Sequence, residues 1–344
     1  MAASNHFADR GILYNSGPRV GYNKDDAHGF NKFGQRLVKL KLGDEDIGFT
    51  AKYGWQILHN YGVLAESYRS TSNSYFGYTG TFNYEKLRFE FAYVKDGMYR
   101  DSPDKKQFAS KDYAKNLNHI ITGAVVYKGD DFFLSYNYGS AADYKRMHIL
   151  ETSYKLTSDV KVGAQIYGSQ AIGYYHQMKT KEFDSHAWHY AKDIQWTQPD
   201  WMLKAGIGYT DAPRKDGIGY YERNIAQYVR GRFEPMSETM QAYVRDGETV
   251  LTVMGTYNIT EKYKTGFLAS YAQLPYRGNT VRTGEINWIN FWEPAKDFNV
   301  GIMFGYGWAY KHDNRTPVLD EKLNYKKSHL LSADFIVDYR FNLM

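Results

Sequence analysis

The side chains able to do chemistry are numerous but scattered. The 344 residues include 43 Lys or Arg, 38 Asp or Glu and 10 His, but no Cys. The missing thiols exclude a Cys nucleophile, a Cys-ligated zinc site and a disulfide scaffold. One cluster suggests acid–base machinery, His186 and His189 beside Asp184 and Asp193, but ordinary polar decoration is the favoured reading, since ten His in 344 residues will cluster somewhere by chance. In an extended chain the two His rings point to opposite faces, a poor geometry for one metal ion. His312-Asp313-Asn314 offers oxygen and nitrogen ligands in a loop, without EF-hand spacing. There is no G-x-S-x-G and no G-x-x-x-x-G-K-[ST]. Gly206-Ile-Gly208 and Gly305-Tyr-Gly307 read as glycines alternating along strands, not as phosphate cradles. Lys and Arg form no run of five, so the clustered basic footprint of a nucleic-acid binder is absent. No metal, cofactor or nucleic-acid partner is expected.

The remaining charges make sense only through the elements that carry them. Those elements are strands. In residues 297–311, Phe298, Val300, Ile302, Phe304, Tyr306, Trp308 and Tyr310 fall on one face, opposite Asn299, Gly301, Met303, Gly305 and Gly307. A helix would scatter such a set, whereas a strand gathers it. The same alternation runs through 46–57, 200–210 and 328–341. Each stripe is about 10 residues long, the length of a tilted strand crossing a bilayer, and soluble strands are usually shorter. The stripes end in Tyr, Trp or Phe, where an interfacial aromatic girdle would lie. Aromatics make up 17% of the chain, 33 of them Tyr, which agrees with that placement. No run of about 18 apolar residues supplies a transmembrane helix, and no signal-peptide pattern opens the sequence.

Fifteen strands are read: 36–42, 46–57, 69–82, 86–95, 117–128, 131–139, 145–156, 159–168, 185–196, 200–210, 248–258, 262–273, 284–293, 297–310 and 328–342. Short joints such as Gly43-Asp44-Glu45 and Gly129-Asp130 alternate with longer polar stretches at 96–116, 169–184, 211–247, 274–283 and 312–327. Outer-membrane barrels alternate periplasmic turns and extracellular loops in this way. The expectation is an all-β fold: one transmembrane antiparallel β-barrel domain over residues 1–344, with residues 1–30 unassigned. Even parity puts the count at about 16 strands, with 18 next.

On the face opposite the apolar stripes fall Lys39, Lys41, Lys52, Arg88, Lys161, Lys204, Lys264 and Arg340, together with Glu90, Asp334 and Asp338. In a barrel this face lines the lumen, where charge sets ion selectivity. The net charge is only +5, so any anion preference should be modest. The bland alternative is a hydrated wall of paired charges, and Arg88 beside Glu90 fits it. Tyr75 and Tyr167 fall on the same face and could stack on sugar rings or merely fill space. Two loops are candidates for a constriction. One is 96–116, with Arg100, Asp101, Asp104, Lys105, Lys106, Lys111 and Asp112. The other, favoured for its arginines, is 211–247 with Arg214, Arg223, Arg230, Arg232 and Arg245, since a guanidinium binds a carboxylate with two parallel hydrogen bonds.

The chain resembles the OprD family of substrate-specific outer-membrane porins, chitoporin-like members included. The resemblance rests on Lys52-Tyr53-Gly54-Trp55-Gln56 followed by Leu64 and Ser67-Tyr68-Arg69-Ser70, and on Tyr190 to Tyr221 with Trp201 to Tyr209 and Gly219-Tyr220-Tyr221. It spans residues 36–342. It departs from the family in having fewer strands before residue 36 and in ending Arg340-Phe341-Asn342-Leu343-Met344. The resemblance implies a monomer or homotrimer in the bacterial outer membrane, in contact with bilayer and lipopolysaccharide. It also implies passive passage of a small hydrophilic solute: an amino acid, a small carboxylate or a short oligosaccharide. A barrel enzyme with a rim His/Asp site and a soluble carbohydrate-binding β protein are the alternatives.

Overall fold

The computed structural model describes residues 33–66, 72–99, 102–236, 242–313, 316–322 and 324–339. These residues are strand and loop apart from a 3-10 turn at Gly173–Gln177. The strands are β1 (Arg36–Gly43), β2 (Ile47–Gln56), β3 (Ser74–Tyr84), β4 (Leu87–Met98), β5 (Lys106–Ala109), β6 (Asn116–Leu117), β7 (Ile120–Lys128), β8 (Phe132–Ala141), β9 (Lys145–Lys155) and β10 (Val160–Ala171). There follow β11 (His186–Thr197), β12 (Trp201–Asp211), β13 (Thr249–Thr260), β14 (Tyr263–Tyr276), β15 (Asn279–Ala295), β16 (Phe298–Tyr310), β17 (His312–Asp313), β18 (Thr316–Pro317) and β19 (Lys327–Tyr339). The fifteen long strands are those read from the alternation. With the short β5 and β6 they form one 17-stranded sheet. The N-terminal segment 1–30, Arg100, Asp101 and Arg340 lie outside the described residues.

The described residues divide into two compact units. One takes those within Met1–Leu150, Tyr167–Lys181 and Glu222–Phe233; the other takes those within Glu151–Ile166, Glu182–Tyr221 and Glu234–Met344. The first holds the antiparallel ladder β1–β2–β3–β4–β7–β8, with β5 and β6 an excursion from the end of β4. The second holds the ladder β11–β12–β13–β14–β15–β16–β19. Each ladder is a sequential meander, so the main-chain donors and acceptors of its interior strands find partners on the two flanking strands, as a lipid environment requires.

Burial in both units is inverted relative to a water-soluble sheet. In the first unit Phe49, Tyr53, Tyr78, Phe82, Phe89 and Phe91 are exposed, while Gln56, Thr79, Glu90, Thr122 and Asn137 on the opposite face are buried. In the second, Leu203, Ile207, Leu251, Phe267, Ile286, Trp288 and Phe304 are exposed, while Thr252, Ser270, Glu285 and Asn287 are buried. A soluble monomer rarely carries a continuous apolar surface of this extent. A hydrocarbon surround removes the penalty. The loops lie on the polar face, called the inner face below.

Turn chemistry fixes the register. Between β1 and β2, Gly43 takes φ +77, and the Asp44 carboxylate accepts the N–H groups of Asp46 (3.0 Å) and Ile47 (2.8 Å). These backbone donors hold Asp44 below the usual carboxylate range. A depressed native pKa gives stability above the ordinary carboxylate value, lost as pH falls through the lowered one. Asp44→Ala is therefore expected to lower the thermal unfolding midpoint at neutral pH, with the gap to the parent narrowing in acid; a pH-independent gap would count against this reading. One expected loop, 274–283, is instead the top of a continuous hairpin. β14 and β15 pair from Tyr263↔Trp292 to Tyr276↔Asn279. Arg277 and Gly278 both have positive φ, 47° and 79°, as a type I′ turn requires.

Candidate functional site

Three loops converge on the inner face of the first unit. The connection after β2 turns inward at Leu58. Its residues Leu58, Tyr61, Val63, Leu64 and Ala65 are all buried, so apolar side chains carry a loop into a polar-faced wall. The wall is shaped to receive it. Gly62 has φ +56, and a Cβ there would collide with Thr122 Oγ1. A Cβ at Gly139 would occupy the space of the Val63 side chain. The Gly62 N–H donates to Glu90 Oε2 at 3.0 Å, and the Val63 N–H donates to Thr122 Oγ1 at 2.9 Å. Tyr61 reaches the β3 backbone through its hydroxyl, and its burial raises the phenol pKa.

Segment 222–233 completes the layer. The Ala65 N–H donates to the Arg230 carbonyl (2.8 Å), and the Arg232 N–H donates to the Val63 carbonyl (3.0 Å). Tyr75 sits at this junction, fully buried. Its hydroxyl accepts the Arg230 N–H at 3.0 Å and donates to the Ala65 carbonyl at 3.1 Å. Lys145, also buried, donates from Nζ to the Asn224 carbonyl at 2.7 Å. The Gln227 N–H donates to the Ala109 carbonyl at 2.9 Å, tying in the β5–β6 loop. Tyr167 packs edge-on to Phe233, with ring centroids 4.9 Å apart, and the Arg223 guanidinium lies 5.3 Å from the Phe233 ring centre.

In the second unit the inner face carries the rest of the long connection after β12. The Tyr221 N–H donates to the Val244 carbonyl and the Asp246 N–H to the Gly219 carbonyl. Buried Arg245 donates from Nη1 to Glu248 Oε1 at 3.0 Å, and its guanidinium stacks 5.1 Å from the Tyr310 ring centre. Burial works against the charged guanidinium, but the Glu248 carboxylate outweighs it and the Arg245 pKa is raised. Tyr243 donates to Glu285 Oε1 at 3.0 Å. Burial and that carboxylate push the phenol pKa up.

The residues read as pore-lining all fall on the inner face where they are described, but they play different parts. Lys39 and Lys52 are direct cross-strand partners. Arg88 pairs with Glu90 at 2.7 Å, and Glu90 is sealed beneath the Gly62 turn. Lys204 pairs with Asp193 at 3.2 Å. Lys161 and Lys264 are exposed, as is Asp334, with Asp338 on the same face of β19. Tyr75 and Tyr167 are both buried under loops and offer no open ring face, which accords with the space-filling alternative rather than with stacking on sugars. Arg245 is paired with Glu248 within the fold. Arg214 stays in the second unit, half-buried, whereas Arg223, Arg230 and Arg232 belong to the layer in the first. The 57–66 loop was missed. Its signal was the run Leu58 to Ala65, too apolar for a solvated loop. His189 is buried, with Nδ1 2.9 Å from Thr210 Oγ1, while His186 lies 3.4 Å from Asp211. Among the described residues no three His, Asp or Glu side chains converge on a metal-sized space.

No family model matches the sequence, and neither does any curated protein. Solved structures do match. OccD3 (OpdP) of Pseudomonas aeruginosa superposes with a TM-score of 0.71 at 11% identity, covering 92% of this chain and 79% of that one. The outer membrane protein OpdK of Pseudomonas aeruginosa gives 0.64 at 11% identity, with 85% and 76% covered; it has also been crystallised with vanillate. OccAB3 of Acinetobacter baumannii gives 0.63 at 12% identity, with 85% and 74% covered. The structural neighbours are thus OprD/Occ-type porins, as the sequence resemblance implied. At this identity the shared property is the fold, an antiparallel transmembrane β-barrel.

Proposed function

We propose that this chain is a single-domain outer-membrane channel through which small hydrophilic solutes pass passively, without chemical reaction. One observation carries the reading. The 57–66 loop and the 222–233 segment are built into the inner face by buried hydrogen bonds, while the opposite face is bare and apolar. A wall that is wet inside, greasy outside and narrowed by pinned loops is the design of a selective pore. In this reading the apolar face meets lipid, and the loop ends lie in the lipopolysaccharide leaflet.

Selectivity follows from charge. Lys39, Lys41, Lys52 and Arg88 share the inner face of β1, β2 and β4, and only Glu90 on β4 offsets them locally. Arg223, Arg230 and Arg232 add positive charge to the loop layer. Small carboxylates are therefore the favoured solutes. The vanillate found with OpdK, an aromatic carboxylate, supports that class. Short oligosaccharides are less favoured, because Tyr75 and Tyr167 on the inner strand face are buried and not open for stacking.

The test is ion current across a planar bilayer holding detergent-refolded protein under a KCl gradient. Stepwise currents with a mild chloride preference are expected. Replacing Lys39, Lys52 and Arg88 together by Gln should lower the chloride-to-potassium permeability ratio by about twofold or more, since lumen charge concentrates counter-ions. An unchanged ratio would sink the lumen assignment. Folded protein that never conducts would sink the channel reading.

A further inference from the structure

The outer, apolar face of the second unit is interrupted by polar side chains between β14 and β15. Thr265 and Asn290 are cross-strand partners there, two residues nearer the short turns than the Phe267↔Trp288 pair on the same face. The Trp288 indole donates to Thr265 Oγ1 at 3.0 Å. Thr265 and Tyr263 in turn donate through their hydroxyls to Asn290 Oδ1, at 2.9 and 2.8 Å. The relay ends there, because the Asn290 amide nitrogen has no acceptor among the described residues. A polar donor left unpaired in hydrocarbon is costly. Apolar grooves open on either side of the indole, and Trp288 walls both. One, of about 430 Å³, lies over Leu203, Gly255, Tyr257 and Phe267. The other, of about 390 Å³, lies over Trp292, Val300, Ile302 and Phe304, and Asn290, 6% exposed, forms part of its lining. Toward the turns stand Glu261, Lys262, Glu293, Lys296 and Asp297, two cations and three anions. The Glu293 N–H donates to the Lys262 carbonyl at 2.8 Å, which sets these two exposed residues side by side.

We infer that this patch seats one two-chain phospholipid with a zwitterionic ethanolamine headgroup. The inference rests on the outer-membrane placement of the barrel and not on whether the barrel conducts. One acyl chain lies in each groove, with the Trp288 indole between them. An ester carbonyl of the glycerol region accepts the free Asn290 N–H. The phosphate meets Lys262 and the ammonium meets Glu293. Depth agrees with this placement. Lys262 precedes Thr265 by three residues, which on a strand tilted by about 45° lowers it by about 7 Å. A headgroup region is roughly 5–7 Å deep. Short turns of such barrels face the periplasm, so the seat lies in the leaflet opposite the one that the long loops reach. Charge selects the headgroup: turns of mixed sign, with a small acidic excess, suit a zwitterion and repel an anionic lipid. Two separate narrow grooves suit flexible hydrocarbon chains, whereas the face of a second copy would bridge them and leave Asn290 unpaired.

The experiment is native mass spectrometry of the refolded full chain in detergent supplemented with dipalmitoyl phosphatidylethanolamine. One lipid per chain should survive the collisional activation that strips detergent. Dipalmitoyl phosphatidylglycerol and single-chain palmitoyl lysophosphatidylethanolamine, at equal concentration, should each be retained several-fold less. Asn290→Leu should lower retention of the two-chain ethanolamine lipid by about fivefold, the scale of one net hydrogen bond, and heat-modifiable migration checks its folding. Lys262→Gln combined with Glu293→Gln should keep the preference for two chains and lose the preference for ethanolamine. Both positions are exposed in turns, so this variant decides the matter even where Asn290→Leu fails to fold. Equal retention of one-chain and two-chain lipids by the parent overturns the inference, as does equal retention of the two headgroups. Undiminished retention by folded Asn290→Leu overturns it too. Dimers free of lipid would assign the patch to a second copy and overturn it as well.

Discussion

Excising residues 224–231 and joining Arg223 to Arg232 through two glycines is expected to raise single-channel conductance several-fold. The excised segment forms the layer over the inner wall of the first unit. It buries Ile225, Ala226 and Val229 and is held by Tyr75, Lys145, Ala109 and the 57–66 loop. The ends of the excision already touch: a Cβ on Gly231 would land on the Arg223 carbonyl. Two glycines therefore span the gap without strain. The strand ladders do not pass through this segment, so the wall should persist, and heat-modifiable migration on gels checks that. Lys145 loses its acceptor, but the same excision opens it to water, so no buried charge is stranded. Conductance equal to the parent in a folded variant would show that the narrowing lies elsewhere. The 106–117 loop would then be the next segment to shorten.

Removing the carboxylate at Glu248 is expected to have the largest effect on stability of any single change in the second unit. Glu248 and Arg245 are buried, and Glu248 also accepts the Arg245 N–H at 3.0 Å. Breaking a buried pair by deleting one partner costs about 3–5 kcal/mol, because the other charge stays desolvated and uncompensated. For Glu248→Ala the stranded cation is Arg245, and its stacking on Tyr310 cannot replace a carboxylate. The loss should appear as new proteolytic cleavage within 212–248 and a lower midpoint in urea. The double variant Arg245→Met with Glu248→Leu should recover most of it, since an apolar pair of similar volume carries no desolvation penalty. Comparable losses in the single and double variants would show that packing, not charge, holds this turn.

The sequence by itself determined the strands. Side chains alternate across a pleated sheet with a period of two, and a bilayer imposes length and aromatic ends. The order of apolar and polar residues therefore fixes both the strand and its face. Lys52, Arg88, Lys204 and Asp334 could be placed on the inner face for that reason alone. Turns were legible where one residue type dictates the backbone, as at Gly43-Asp44. The hairpin top at Arg277-Gly278 was missed, because a polar stretch reads as loop although its strands continue past the membrane.

Only the tertiary structure decided what the loops do. Loop placement depends on contacts distant in sequence: Val63 against Gly139, Gly62 against Thr122, Arg230 against Tyr75. No local pattern encodes such pairs. Charge roles were hidden for the same reason. Arg245 and Arg223 belong to one Arg-bearing stretch, yet Arg245 is neutralised by Glu248 in one unit while Arg223 stacks on Phe233 in the other. A side chain's type sets the chemistry available to it; its neighbours in space set which part of that chemistry is expressed.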